Sequence, residues 1–181
     1  MVINFQNEVI SESAEVLYTN LSNVAIDREA IATLQGLATH TNRGRLRLCT
    51  HRGAEDHVHE MFIVHPRGAY VPPHKHLGKS ESMLVLAGEC EHVLFDDEGQ
   101  ITGKRRMGDF ASGLDFFLRM SCPVFHSLVI LSDQLVFLEI TKGPFDRKDT
   151  VTAPWAPKEQ SSYAIEEFFA DIRSWGVSCG N

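Results

Sequence analysis

Long apolar runs are what this 181-residue chain most plainly lacks. No stretch approaches the roughly 18 to 20 apolar residues that a bilayer-spanning helix needs, so no membrane helix is expected. The start, Met1-Val2-Ile3-Asn4-Phe5-Gln6-Asn7-Glu8, has neither a basic n-region nor an apolar h-region, and no signal peptide is expected. Cysteine is sparse. Cys49, Cys90, Cys122 and Cys179 stand far apart with no C-x-x-C pair, the pattern of unpaired thiols in a reduced, cytoplasmic protein. Positive charge is the minority sign, 17 Lys and Arg against 24 Asp and Glu, for a net charge of −7. That balance argues against nucleic acid or an anionic membrane as a partner. The one basic cluster, Arg43, Arg45 and Arg47, is interrupted by Gly44 and Leu46. It is too small for a nucleic-acid face and reads as a grip for a phosphate or carboxylate, or as a solvated or salt-bridged strand edge. Internal repeats, low-complexity tracts and a helix-turn-helix region are also missing.

What is present suits one globular domain. The chain is 43% hydrophobic and 23% charged, ordinary proportions for a core-forming protein of this size. Three parts can be drawn. Residues 1–44 form an N-terminal segment with one helix, capped by Asp27 and striped by Ile31, Leu34, Leu37 and Ala38. Residues 45–142 read as short strands punctuated by Gly, Pro and Asp. Examples are Glu60–His65, Tyr70–His76, Ser82–Leu86, Glu91–Phe95, Phe125–Leu131 and Leu135–Thr141, a spacing that suggests a sandwich or barrel. Asp96-Asp97-Glu98-Gly99 is a hairpin signal. Residues 143–181 begin irregularly and end in an amphipathic helix, capped by Ser161 or Ser162 and stopped by Gly176. Its stripe, Ile165, Phe168, Phe169, Ile172 and Trp175, would pack on the barrel wall or form a dimer contact.

The chemistry concentrates in Gly68 to Gly88, which has the pattern G-x5-H-x-H-x4-E-x6-G. Side chains alternate along a strand, so His74 and His76 share a face and Lys75 points away. Leu77-Gly78-Lys79-Ser80 is turn-like and returns the chain so that Glu81 reaches the same pocket. Imidazoles with a carboxylate suit a borderline divalent ion. His126, leading the apolar run Ser127–Leu131, is the candidate fourth ligand from a later strand. Four such ligands would leave an octahedral ion with two open positions, as catalytic sites require. His57 and His59 repeat the H-x-H rhythm, but Val64 stands where a matching glutamate would be. They read as a polar loop or strand edge, with a second site as the alternative.

These residues resemble the first motif of the cupin superfamily. The second cupin motif, G-x5-P-x-G-x2-H, is irregular here. Gly108 is too far upstream of His126, Ser121 stands at the proline position and Pro123 at the glycine position. The bend before His126 must therefore be made differently. A closer resemblance, over roughly residues 28–160, is to the WbuC-type cupin metalloproteins. It is carried by Arg45-Leu46-Arg47 with His51, the segment Gly68–His76, Lys79-Ser80-Glu81, Phe95–Gly99, Gly143-Pro144-Phe145-Asp146 and Ala153-Pro154-Trp155-Ala156-Pro157. The resemblance implies an all-β-dominated fold, a single cupin jelly-roll β-barrel with an N-terminal helix and a C-terminal amphipathic helix. It also implies one divalent metal (iron, nickel, manganese or zinc), a homodimer, and a place in O-antigen or surface-polysaccharide metabolism. The ligand would then be a small molecule such as a sugar or nucleotide sugar, with no reaction specified.

Around the metal, Glu139 shares a strand face with Phe137 and Thr141. It reads as a partner of a metal histidine or a general acid/base, or else as an ordinary salt bridge. Tyr70 reads as a second catalytic candidate at the barrel mouth or as a packed strand aromatic. Arg45, Arg47, His51 and Lys79 are candidates for substrate contact. Two functions stay open: a metal-dependent sugar isomerase, epimerase or oxygenase, and a metallocupin that binds a sugar or anion without turnover.

Overall fold

The computed structural model describes residues 2–176; Cys179 lies outside them. In chain order the elements are β1 (Val9–Ser13), β2 (Val16–Thr19), α1 (Arg28–Ala38), β3 (Leu46–Cys49), β4 (Val58–Pro66), β5 (His74–His76), β6 (Glu81–Ala87), β7 (Glu89–Phe95), β8 (Ile101–Gly108), β9 (Phe117–Met120), β10 (Phe125–Ile130), β11 (Gln134–Lys142), β12 (Thr150–Thr152) and α2 (Ser162–Ser174). They form a seven-stranded sheet, β1-β2-β3-β4-β11-β6-β9, and a five-stranded sheet, β12-β5-β10-β7-β8. The β2–β3 pair is parallel; the other strand pairs are antiparallel. This is a jelly-roll β-sandwich. No described helix is long and apolar enough to cross a membrane.

Strand alternation sorts the apolar residues into three layers. Cys49, Met61, Ile63, Met83, Val85, Cys90, Leu128, Ile130, Leu135 and Phe137 fill the interior between the sheets. Leu46, Leu48, Val64 and Val136, on the opposite face of the seven-stranded sheet, pack under Ala30, Leu34 and Ala38 of α1. Val93, Phe95, Phe125 and Val129, on the outer face of the five-stranded sheet, pack under Ile172, Phe168 and Phe169 of α2. A strand covered on both sides has no solvent face, which is why every residue of β10 is buried, His126 and Ser127 included.

Local chemistry sets the ends of the elements. Asp27 caps α1, accepting from Ala30 N at 2.8 Å. The buried stripe of α1 is Ala30, Leu34 and Ala38, whereas Leu37, expected in it, is exposed. α2 begins after Ser161, whose side chain makes no cap hydrogen bond, and it lies on the barrel wall; the stripe member Trp175 is exposed at its end. At Gly88 (φ 84°) the β6–β7 corner brings Gln134 O within 2.3 Å of where a Cβ would sit, so only glycine fits.

Several strands differ from the sequence reading. The 1–44 segment carries its helix but also β1 and β2, which extend the seven-stranded sheet through β3. The expected strand Tyr70–His76 is paired only over His74–His76, because Pro72 and Pro73 have no N–H to donate. In the 143–181 segment, Thr150–Thr152 forms β12 against β5.

Candidate metal centre

β5 lies between β12 and β10, with His74 opposite both Thr152 and His126. Alternation does what the spacing predicts. Lys75 turns outward, its ammonium 2.7 Å from Asp97 and 4.2 Å from the centre of the Phe125 ring. His74 and His76 turn inward. Gly78 takes a positive φ of 67° in the turn that follows, and Glu81 opens β6. His126 arrives from β10 after a tight turn in which Val124 N donates to Cys122 O at 3.0 Å; that turn is the bend the irregular second motif left open.

The four side chains converge. One ligand atom from each of His74, His76, Glu81 and His126 lies within 4.8 Å of the others. Glu81 Oε2 is 2.9 Å from His76 Nε2 and 3.6 Å from His126 Nε2. The rings are held from behind. His74 Nδ1 donates to Pro72 O at 2.9 Å and His126 Nδ1 to Val124 O at 3.0 Å. A carbonyl only accepts, so the neutral rings carry their proton on Nδ1 and present the Nε2 lone pair to the cluster. His76 Nδ1 meets Thr150 Oγ1 of β12 at 3.1 Å. Such backing partners orient metal-binding histidines.

The electrostatics match. Burial, together with the neighbouring His126, pulls His74 down to about 4, so it is a neutral donor near pH 7. Burial opposes ionisation of Glu81, but its contacts with His126 and His76 outweigh this and hold it below the usual carboxylate range. His76 Nε2 and Glu81 Oε2 are both buried without a hydrogen-bond partner; their close approach lacks hydrogen-bond geometry. Buried lone pairs aimed at one point and left unsatisfied are costly. A divalent cation satisfies them together, and three imidazoles with one carboxylate are a donor set it accepts.

Glu139 also faces the interior, two residues along β11 from Thr141, the partner of Glu81. Burial, with the Glu81 charge adding to it, pushes its carboxyl up to about 8. His92 is the residue that sequence reading missed. It sits on the inward face of β7 opposite Leu128 and its ring stacks on His126 at 5.6 Å. Its Nε2 is buried without a partner. The alternation of Cys90, His92 and Leu94 was the available signal. His92 also lines a cleft of about 370 Å³ with Lys104, Arg105, Leu118, Arg119 and Cys122. This cleft lies where β8 and β9, the edge strands of the two sheets, approach each other.

The remaining candidates lie elsewhere. Tyr70 is buried, donates from Oη to Pro157 O at 2.8 Å and meets Phe168 and Phe169 edge-on; it joins the barrel to the C-terminal segment. Lys79 donates to Pro144 O at 2.7 Å and pairs with Asp149 at 3.0 Å, pinning the loop that leads into β12 and Thr150. His51 stacks on His59 at 4.2 Å, with Nδ1 against the backbone of Glu60. His59 is buried and His57 exposed, and neither belongs to the four-residue cluster. Arg45 and Arg47 line a separate cavity.

Fold and site together define a jelly-roll β-sandwich that carries a cluster of three histidines and one glutamate able to hold a metal ion. Residues 26–107 match the model of a domain of unknown function (DUF6016). No curated protein matches the chain. Among solved structures, Bacillus subtilis oxalate decarboxylase, described with Mn(II) centres, is similar at 18% identity and TM-score 0.43, covering 54% of this chain and 24% of that one. CapF, solved with the inhibitor 3-isopropenyl-tropolone, is similar at 18% identity and TM-score 0.45, covering 54% and 28%. The DMSP lyase DddQ from Ruegeria pomeroyi DSS-3 is similar at 22% identity and TM-score 0.41, covering 54% and 44%. The matched region thus spans less than half the length of each of these proteins.

Proposed function

We propose that this chain is a metal-dependent cupin that holds one divalent ion on His74, His76, Glu81 and His126 and acts on a small oxygen-rich ligand. The observation that carries the reading is the convergence of four ligand atoms within 4.8 Å, with the far nitrogens of the rings already engaged. A bound ion would supply Lewis acidity, polarising a substrate oxygen or lowering the pKa of water. The protein's own residues supply the rest. Glu139, on the interior face of β11 two residues from the partner of Glu81, has its carboxyl pushed up by burial and offers a proton-transfer group to a bound ligand. His92 offers an unpartnered nitrogen at the wall shared by the cluster and the β8–β9 cleft, the natural approach for a ligand. The assignment of that ligand to sugars or nucleotide sugars of surface-polysaccharide metabolism, and of the assembly to a homodimer, is supported by the resemblance of residues 28–160.

The test is elemental analysis of protein purified without an affinity tag, followed by a thermal-shift screen of nucleotide sugars and assay of any hit for product. About one equivalent of iron, nickel, manganese or zinc is expected, and its loss in His74→Ala. Absence of stoichiometric metal, with His74→Ala unchanged, would overturn the metal assignment. A stabilising sugar that is never converted would leave the binding function and remove the enzymatic one.

A further inference from the structure

The interior has a second polar region, away from the metal ligands. On β11, Thr141 pairs with Glu81, and Leu135 pairs with His65. The two positions are therefore about 20 Å apart along the strand, at ~3.3 Å per residue. At the His65 end, Arg43, Arg45, Arg47 and His65 line a cavity of about 260 Å³ with Glu15. Glu15 is already taken: Arg43 donates to its two oxygens from Nε at 2.8 Å and Nη2 at 2.5 Å. Arg45 and Arg47 form no ion pair among the described residues. Arg45 reaches only the carbonyl of Tyr70, at 2.5 Å, and Arg47 only the sulfur of Met61, at 3.7 Å. Arg47 Nε and His65 Nδ1 are both buried with no hydrogen-bond partner.

A chain with a net charge of −7 thus holds two guanidinium groups without a close ion pair, with Glu15 and Glu159 acting on Arg45 only at longer range, beside a histidine with a spare ring nitrogen. Partly buried cations without counter-ions are costly unless a ligand supplies the charge. Guanidinium groups present planar forks of donors that match oxyanions. Two such charges call for a dianion, and a phosphate monoester carries close to two negative charges near neutral pH with three acceptor oxygens. The volume falls below the roughly 300 to 1,000 Å³ of pockets that enclose whole drug-sized ligands, so the site takes a group rather than a nucleotide.

We propose that Arg45, Arg47 and His65 form a binding site for a phosphoryl group, separate from the metal centre. The site does not depend on the metal reading.

The test is calorimetric titration with inorganic phosphate and with a hexose phosphate, in metal-loaded and chelator-treated protein. Sodium chloride at matched ionic strength and succinate serve as controls. Saturable binding of phosphate or its ester is expected, with at least about a tenfold loss in Arg47→Gln or Arg45→Gln, as removal of a charge-assisted hydrogen bond predicts. Metal content should not change in either variant. A stronger response to the ester identifies an esterified ligand; an equal response identifies free phosphate. NMR of the histidine rings gives a readout that needs no variant, since phosphate should shift the His65 signals and leave those of His92 in place. The proposal is overturned if phosphate binds no better than chloride, if succinate binds equally well, if the arginine variants retain binding, or if His74→Ala abolishes it.

Discussion

The two ends of the barrel interior bury polar groups in opposite ways. At one end three histidines and a glutamate aim lone pairs at a common point, and the backing hydrogen bonds on His74 and His126 put their protons on the far side. At the other, three arginines and a histidine line a cavity whose one lining acid among the described residues, Glu15, is already bonded to Arg43. One end wants a cation and the other an anion. The sign of the missing ligand is legible in each case because burial removes water as the default partner, leaving an unmet valence in view. Between them lies an apolar layer that includes Ile63, Val85, Phe137 and Leu128, across which the Arg47 charge still acts on Glu139 at longer range.

The largest way to break this comparison is to remove the partition. Phe137 is 2% exposed in the interior cluster and its ring lies 5.8 Å from His65. Phe137→Ala should cost about 3–5 kcal/mol, read as a lower denaturant midpoint, with weakened ligand response at both ends. A milder result at one end only would show that the two sites are insulated by something other than this layer.

Metal removal comes next. Chelation should destabilise the protein by about 2.7 kcal/mol relative to protein in free ion at a hundredfold excess over Kd, with recovery on adding the ion back. Arg45→Gln should show the same difference; a smaller one would mean that the two ends are coupled. Lys79→Met sharpens the assignment of a residue read from sequence as a substrate contact. If it pins the loop into β12, as its bonds to Pro144 and Asp149 indicate, thermal unfolding should report a loss of about 1 kcal/mol without any ligand present. An unchanged midpoint with weakened ligand binding would restore the earlier role.

The smallest expected change is a slope. Burial, with Arg45 and Arg43 adding to it, depresses His65 to about 4, whereas the unfolded chain takes up this proton near the ordinary value of about 6.5. The unfolded state therefore binds more protons between these values, and stability falls as pH drops from about 6.5 towards 4. His65→Gln should flatten that part of the pH–stability curve. An equally steep curve would mean that His65 is already charged in the folded protein.

Much of the metal end was legible in the sequence because its spacing is local. His74 and His76 are two residues apart on one strand, and Gly78 makes the turn to Glu81, so period and turn chemistry suffice. His126 was harder to place, since the turn Cys122–Val124 replaces the usual bend and only the pairing of β10 with β5 puts it opposite His74. His92 was missed because a single histidine within a strand carries no signature until the fold shows which way it faces. The N-terminal hairpin escaped for a related reason. β1 and β2 are short, and all but one of their residues keep some exposure, so no strong alternation marks them.

The sequence alone thus determined the barrel's short strands, the two helices, the H-x-H rhythm and the turn to Glu81, all of which depend on residues a few positions apart. Only the tertiary structure decided that Tyr70 bonds to Pro157 and Lys79 to Pro144 and Asp149, that His92 and Thr150 stand beside the histidine–glutamate cluster, and that Arg45 and Arg47 line another cavity. Those roles follow from which strands pair and in what register, and strand pairing joins residues that the chain keeps far apart.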